Sequence, residues 1–152
     1  MRIALFEPEI AGNVGAVLRL AACMGVGVDL IEPMGFEWDD RRVRRTAMDY
    51  IDHVEIARHA GFMAFKSTIG SRRLVLFTTK ARQSAYEFDF AADDVLLFGK
   101  ESAGVPPAVA DACDARVRIP MQAAVRSLNL ATTTALALGE VLRKTGTLPS
   151  AG

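Results

Sequence analysis

Cysteine and histidine are scarce in this sequence. The two cysteines, Cys23 and Cys113, form no C-x-x-C pair, and the two histidines, His53 and His59, stand at no recognisable zinc spacing from them. No metal site is therefore expected, and both thiols read as small buried hydrophobes. Excess charge of either sign is missing too: 18 basic residues balance 18 acidic ones. The basic composition that usually marks a nucleic-acid binder is absent, so any such contact must come from local clustering of charge. Long apolar runs are also lacking. The opening MRIALFEPEIAGN is broken by Glu7, Pro8 and Glu9, too soon for a signal-peptide core, and no stretch approaches a membrane span. We expect no membrane partner and a cytoplasmic protein. There is no internal repeat, low-complexity tract or linker.

What is present suits one domain: 152 residues, 51% of them hydrophobic. Short apolar runs alternate with amphipathic ones. Ile3 to Phe6, Val26 to Ile31, His53 to Ile56, Leu74 to Thr78, Val95 to Phe98 and Arg116 to Ile119 read as strands. Helices are expected from about Asn13 to Gly25, with Asn13 as N-cap and Gly25 as stop, over a short exposed basic segment from Asp39 to Met48, and from His59 to Lys66. Two more should run from Pro106-Pro107 through Ala112 and from Asn129 to Arg143. The pattern predicts an α/β domain, mainly parallel and flanked by helices, over residues 1–144, followed by a loose tail over 145–152. Parallel sheets bind ligands beyond the carboxyl ends of their strands, which directs attention to the loops after Phe6, Thr78, Phe98 and Ile119.

Three segments carry unusual residue sets. The first is Asn13-x-Gly15-x-x-x-Arg19. A wheel count places Gly15 and Arg19 opposite the stripe of Val14, Val17, Leu18 and Ala21. The same residues also fit an ordinary capped helix with a solvated arginine. The second set runs from Leu97 through Gly99, Lys100, Glu101, Ser102 and Gly104 to Pro106. Its exposed backbone N–H groups can hold an adenosyl or phosphate group, and it matches neither a P-loop nor a dinucleotide fingerprint. A plain strand-to-helix turn also fits it. The third set is Ile119-Pro120-Met121, then Arg126-Ser127-Leu128-Asn129-Leu130. It precedes a helix, Leu130 to Leu142, that reads as apolar nearly all round and so must be buried, one available surface being a second subunit. A Ser/Asn helix cap is the plainer account of its polar residues.

Taken in order, N-x-G-x-x-x-R, F-G-x-E-x-x-G-[LV]-P and I-P-M-x(4)-R-S-L-N-L resemble the three motifs of the SPOUT superfamily. The nearest resemblance is to the small stand-alone tRNA 2′-O-methyltransferases of the wobble nucleotide (the TrmL-like group). Ala47-Met48-Asp49-Tyr50 and Phe77-Thr78-Thr79-Lys80 are similar to that group's intervening segments. The resemblance implies a domain whose C-terminal part threads a deep trefoil knot, and a homodimer with its active site at the interface. It implies S-adenosyl-L-methionine as cofactor and S-adenosyl-L-homocysteine as product. Phe77, Thr78, Gly99, Glu101, Gly104, Ile119, Met121, Ser127 and Leu128 would hold the cofactor. The implied substrate is the ribose 2′-hydroxyl at position 34 of tRNA, on cytidine or modified uridine. Another tRNA or ribosomal RNA site, or a knotted RNA-binding module without catalysis, remains an alternative.

A ribose hydroxyl needs a positioned base or hydrogen-bond partner before it attacks. Arg19, Asn13, Ser127 and Asn129 are the catalytic candidates. Arginine is a poor base at its usual pKa, so Arg19 suits positioning of phosphate and developing charge. Arg41, Arg42, Arg44 and Arg45 form the densest basic cluster, and with Arg126 they are the candidate RNA contacts. A solvated helix face explains the cluster equally well. Arg72, Arg73, Lys80 and Arg82 form a looser cluster.

Overall fold

The structure is a computed structural model. It describes residues 1–125 and 127–151, with nothing to be said of the side chains of Thr46 and Met48. The expected Arg126 contact lies outside the described residues. Twelve elements follow in order: β1 (Arg2–Phe6), α1 (Ala11–Met24), β2 (Gly27–Ile31), α2 (Asp40–Ala47), a 3₁₀ helix (Met48–His53), β3 (Ile56–His59), α3 (Phe62–Thr68), β4 (Leu74–Phe77), β5 (Val95–Phe98), α4 (Pro107–Asp111), β6 (Ala115–Val117) and α5 (Leu130–Thr145).

The strands form one sheet in the order β3-β2-β1-β5-β4-β6, and every pairing is parallel. Both faces are covered, which is why β4 (LVLF) and β5 (VLLF) are apolar and buried throughout. Ile3, Leu5, Val28, Leu30, Leu96 and Phe98 join the core beneath α1, α2 and α5. Ala4, Phe6, Leu74, Leu76 and Leu97 face the other way, onto Phe65, Ile69 and Val109 of the α3–α4 side. β5 returns between β1 and β4, and the chain after β6 comes back to the loops that follow β4 and β5. This course is consistent with the knotted fold that the resemblance implies.

Several boundaries differ from expectation. α1 starts at Ala11, with Ile10 as an N-cap that makes no side-chain bond. Asn13 therefore lies inside the first turn and caps nothing. Gly25 does stop the helix, in the left-handed region at φ 70°. The strand expected over His53 to Ile56 is Ile56–His59, preceded by the 3₁₀ helix. Its own alternation is too short to set it. Parallel pairing with β2 does so, together with a buried bond of 2.8 Å between His59 Nε2 and Asp29 Oδ1. α3 in turn starts only at Phe62. α2 is basic and exposed at its arginines as expected, yet it buries Val43 and Ala47.

Gly15 is buried with Val14, Val17 and Leu18, not on an open face with Arg19. α1 is flanked by α2 and the 3₁₀ helix as well as by α5, so a wider arc of it is covered than one stripe. α5 is not apolar all round in effect: Leu130, Ala137, Leu138, Val141 and Leu142 are buried, while Thr132, Ala135 and Leu136 are exposed.

The looser basic cluster is divided by β4. Arg72 and Arg73 precede that strand and are used in the fold. Arg73 donates to the fully buried Asp94 carboxylate at 2.8 and 2.7 Å, and Arg72 donates to the Ile69 carbonyl at 3.0 Å. Lys80 and Arg82 follow the strand, at its opposite end. Among the described residues no helix is long and apolar enough to cross a membrane.

Candidate active site

The carboxyl ends of β4, β5 and β6 open on one cleft of about 820 Å³. All nine residues expected to hold the cofactor line it: Phe77 and Thr78 after β4, Gly99, Glu101 and Gly104 after β5, and Ile119, Met121, Ser127 and Leu128 after β6. Asn13 and Asn129 join them from the first turn of α1 and the start of α5. Three motifs far apart in sequence thus meet at one edge of the sheet.

The loop after β5 is closed on itself. The Lys100 N–H donates to the Gly104 carbonyl at 3.1 Å, and the Gly104 N–H returns a bond to the Lys100 carbonyl at 2.9 Å. Both glycines are needed for this closure. A Cβ at Gly99 would stand 2.5 Å from the Gly104 carbonyl carbon and 2.6 Å from its Cα. The loop's own backbone therefore excludes a side chain at Gly99, which also lines the cleft. Gly104 has φ +65°, with nothing within 4 Å of a built Cβ, so its demand is conformational.

Glu101 ties this loop to the segment after β1. Its Oε2 accepts the Glu9 N–H at 2.8 Å, and its Oε1 accepts the Asn13 amide at 3.3 Å. Glu9 reciprocates: its Oε1 accepts the Ser102 N–H at 2.8 Å and the Ser102 hydroxyl at 2.6 Å. Those two bonds hold the Glu9 carboxyl below its ordinary pKa. Lys100 Nζ reaches Glu7 Oε2 at 3.3 Å. Glu7 has φ 44°, in the left-handed region, an unusual conformation for glutamate. The third motif is joined in the same way. Asn129 Nδ2 donates to Asn13 Oδ1 at 3.0 Å, while Asn129 Oδ1 caps α5 by accepting the Ala131 and Thr132 N–H groups. Asn129 is thus the helix cap that the plainer reading expected, and it also links two motifs.

Glu7, Glu9, Lys100 and Ser102 were not among the expected site residues. The available signal was two glutamates breaking the first apolar run, and a Lys-Glu-Ser triplet in the later loop. Nothing local pairs them, because the partners lie 93 residues apart.

The other expected residues are placed differently. Arg19 is exposed and is not among the described residues lining the cleft. Its guanidinium carbon lies 5.1 Å from the centroid of the Tyr50 ring. Arg41, Arg42, Arg44 and Arg45 are exposed on α2, and Arg44 is paired with Asp52 at 3.2 Å. Cys113 is partly buried and donates to the Val109 carbonyl at 3.3 Å; burial pushes its thiol up to about 11, so it stays protonated. Cys23 is exposed, against expectation, because its position on α1 lies opposite the covered arc of Val14, Gly15, Val17, Leu18 and Ala21. Among the described residues no group of three or more His, Cys, Asp or Glu could hold a metal ion.

The two glycines give a test of the loop. Gly99→Ala forces backbone apart and should cost roughly 1–3 kcal/mol, as overpacking does. Gly104→Ala meets no atom and should cost about 1 kcal/mol, from its left-handed backbone alone. Urea unfolding of the two variants, at unchanged slope, should rank Gly99→Ala as the less stable; the reverse order would contradict the loop closure described here.

Known proteins resemble this chain in sequence and fold. The chain is 51% identical over 148 residues to the tRNA (cytidine(34)-2'-O)-methyltransferase of Beijerinckia indica, spanning 96% of this chain and 92% of that protein. A solved structure described as giving structural insights into the 2-OH methylation of C/U34 on tRNA superposes with a TM-score of 0.89 at 38% identity, covering 94% of each chain. An AdoMet-bound rRNA methyltransferase from Sinorhizobium meliloti superposes with a TM-score of 0.85 at 28% identity, over 93% of this chain and 55% of that one. The family model described as the SpoU rRNA Methylase family matches residues 1–139, from β1 into α5 and across all three motifs. With its sheet order, cleft and motifs accounted for together, this chain belongs to the SpoU rRNA Methylase family.

Proposed function

We propose that this chain is an S-adenosyl-L-methionine-dependent methyltransferase acting on the ribose 2′-hydroxyl of nucleotide 34, the wobble nucleotide, of tRNA. The observation that carries the reading is the bonded chain from Glu101 through Asn13 to Asn129, which gathers the three motifs around one cleft. The near-full-length likeness to a cytidine-34 methyltransferase supports the choice of substrate.

The cleft suits the cofactor. Phe77, Ile119 and Leu128 offer apolar surface, the loop from Gly99 to Gly104 offers backbone, and Lys80, Asp111 and Arg116 offer charge at the rim. When bound, the cofactor supplies an electrophilic methyl group on a good leaving group. The protein's own task is largely to bring the hydroxyl into line. Asn13 and Asn129 are largely committed to the clamp, so they act chiefly as positioning residues. Each amide nitrogen retains a second hydrogen that can be donated to the target ribose. Ser127 adds a hydroxyl at the same wall of the cleft. Arg19 holds a phosphate of the target nucleotide or the charge that develops on its oxygen. Arg41, Arg42, Arg44 and Arg45 supply salt-dependent phosphate contacts. A tRNA substrate places the enzyme in the cytoplasm.

The enzyme works as a homodimer in this reading. Tyr86, Val125, Leu128 and Leu136 are large, apolar and exposed, and they surround a second depression of about 540 Å³. Ile119, Met121 and Leu128 border both this depression and the cleft, so a second copy seated there would complete the wall of the site. Light scattering at micromolar concentration should give twice the chain mass. A monomer that methylates RNA at full rate would contradict it.

The activity is tested by mapping 2′-O-methyl groups on tRNA lacking the wobble modification, before and after incubation with protein and cofactor. A new methyl at nucleotide 34 is expected; methylation only elsewhere, or none, would overturn the assignment. Arg19→Ala should lower the single-turnover rate at least tenfold, about 1.4 kcal/mol of transition-state stabilisation. Its stability should fall by no more than about 1 kcal/mol, because Arg19 is exposed and an exposed cation–ring contact contributes about 0.5–1 kcal/mol.

A further inference from the structure

Tyr50 lies far from the cleft in sequence and lines no part of it among the described residues. It sits in the 3₁₀ helix Met48–His53, which packs against α1. Ile51 anchors that helix to the core, and the Arg44–Asp52 pair ties it to α2. Tyr50 is 36% exposed, and the Arg19 guanidinium carbon lies 5.1 Å from the centroid of its ring.

An arginine that must meet one phosphate or one oxygen cannot be left to sample its many rotamers. An aromatic face can supply such restraint, since the ring attracts the cation through its quadrupole without accepting its N–H groups in plane. Tyr50 is placed to do this, on a short helix that is itself fixed at both sides.

We propose that Tyr50 is a positioning residue for Arg19, its ring face holding the guanidinium in the orientation that meets the target nucleotide. The inference rests on the role given to Arg19 in the proposed function. It also makes the basic helix α2 and Arg19 one mechanical unit, since the 3₁₀ helix follows α2 directly and is bonded to it.

The test compares Tyr50→Phe, which keeps the ring face, with Tyr50→Leu, which keeps apolar bulk without one. Arg19→Ala and the double variant Arg19→Ala/Tyr50→Leu complete a cycle. Single-turnover methylation of tRNA is measured at saturating RNA and cofactor, beside affinities for both. Tyr50→Phe should act as the wild type. Tyr50→Leu should be slower by at least about fivefold, with both affinities within about twofold. In the Arg19→Ala background, Tyr50→Leu should cause no further loss. Equal rates for Tyr50→Leu and the wild type, a loss in Tyr50→Phe, or losses that add in the double variant would each overturn the proposal. A wild-type rate for Arg19→Ala would instead remove the role of Arg19 itself, and the two failures are therefore distinct. A second readout needs no activity. The Arg19 Hε resonance should be shifted upfield by the ring in the wild type and Tyr50→Phe, and should return to its ordinary position in Tyr50→Leu. An unshifted resonance in the wild type would also overturn the proposal.

Discussion

The Glu101 carboxylate joins chain segments 92 and 88 residues apart, accepting the Glu9 N–H with one oxygen and the Asn13 amide with the other. Hydrogen bonds to a charged group contribute about 1.5–3 kcal/mol each, more than neutral ones. Here they act where several loops would otherwise move independently. The left-handed backbone at Glu7, costing roughly 1–3 kcal/mol, turns the chain sharply after β1 and is held by this clamp. The reciprocal bonds of Glu9 to Ser102, and of Lys100 to Glu7, make the contact two-sided. Through Asn13 and Asn129 the same carboxylate is connected to the N-terminus of α5.

Charge explains how a chain with no net charge builds such a site. Much of its charge is spent on the fold. Asp29 is buried between Arg2 and His59, and Asp94 is buried against Arg73 and the Ala91 N–H. Such carboxylates are tolerated inside a protein because their oxygens are bonded. The arginines of α2 gather on the surface instead: Arg41, Arg42, Arg44 and Arg45 are all exposed on one short helix, with Arg44 paired to Asp52. A balanced total thus coexists with a local basic surface, and only the folded chain separates the two populations.

The strands were legible where burial on both faces left unbroken apolar runs, as in Val95–Phe98 and Leu74–Phe77. β3 was not, because a four-residue strand at the sheet edge is set by its pairing with β2 and by His59 reaching Asp29. The motif residues were legible as a set, and all nine cofactor candidates line one cleft. What each does was less so. Gly99 packs on the backbone of Gly104, and Asn13 bonds Glu101 and Asn129 instead of capping α1; spacing alone shows neither contact. Glu9 and Ser102 were missed for the same reason, since a lone glutamate and a lone serine carry no local pattern. Arg19 was found by its motif, but the ring of Tyr50 beside it belongs to another element and could not be read from spacing.

The most direct test of the clamp's role is calorimetric titration of S-adenosyl-L-methionine into the wild type and Glu101→Gln. The substitution keeps the side chain's size but removes its charge and puts a donor where Glu101 accepts. If the carboxylate organises the cleft, affinity should fall at least tenfold, about 1.4 kcal/mol, while the variant still unfolds cooperatively. Wild-type affinity in a folded Glu101→Gln variant would contradict the account.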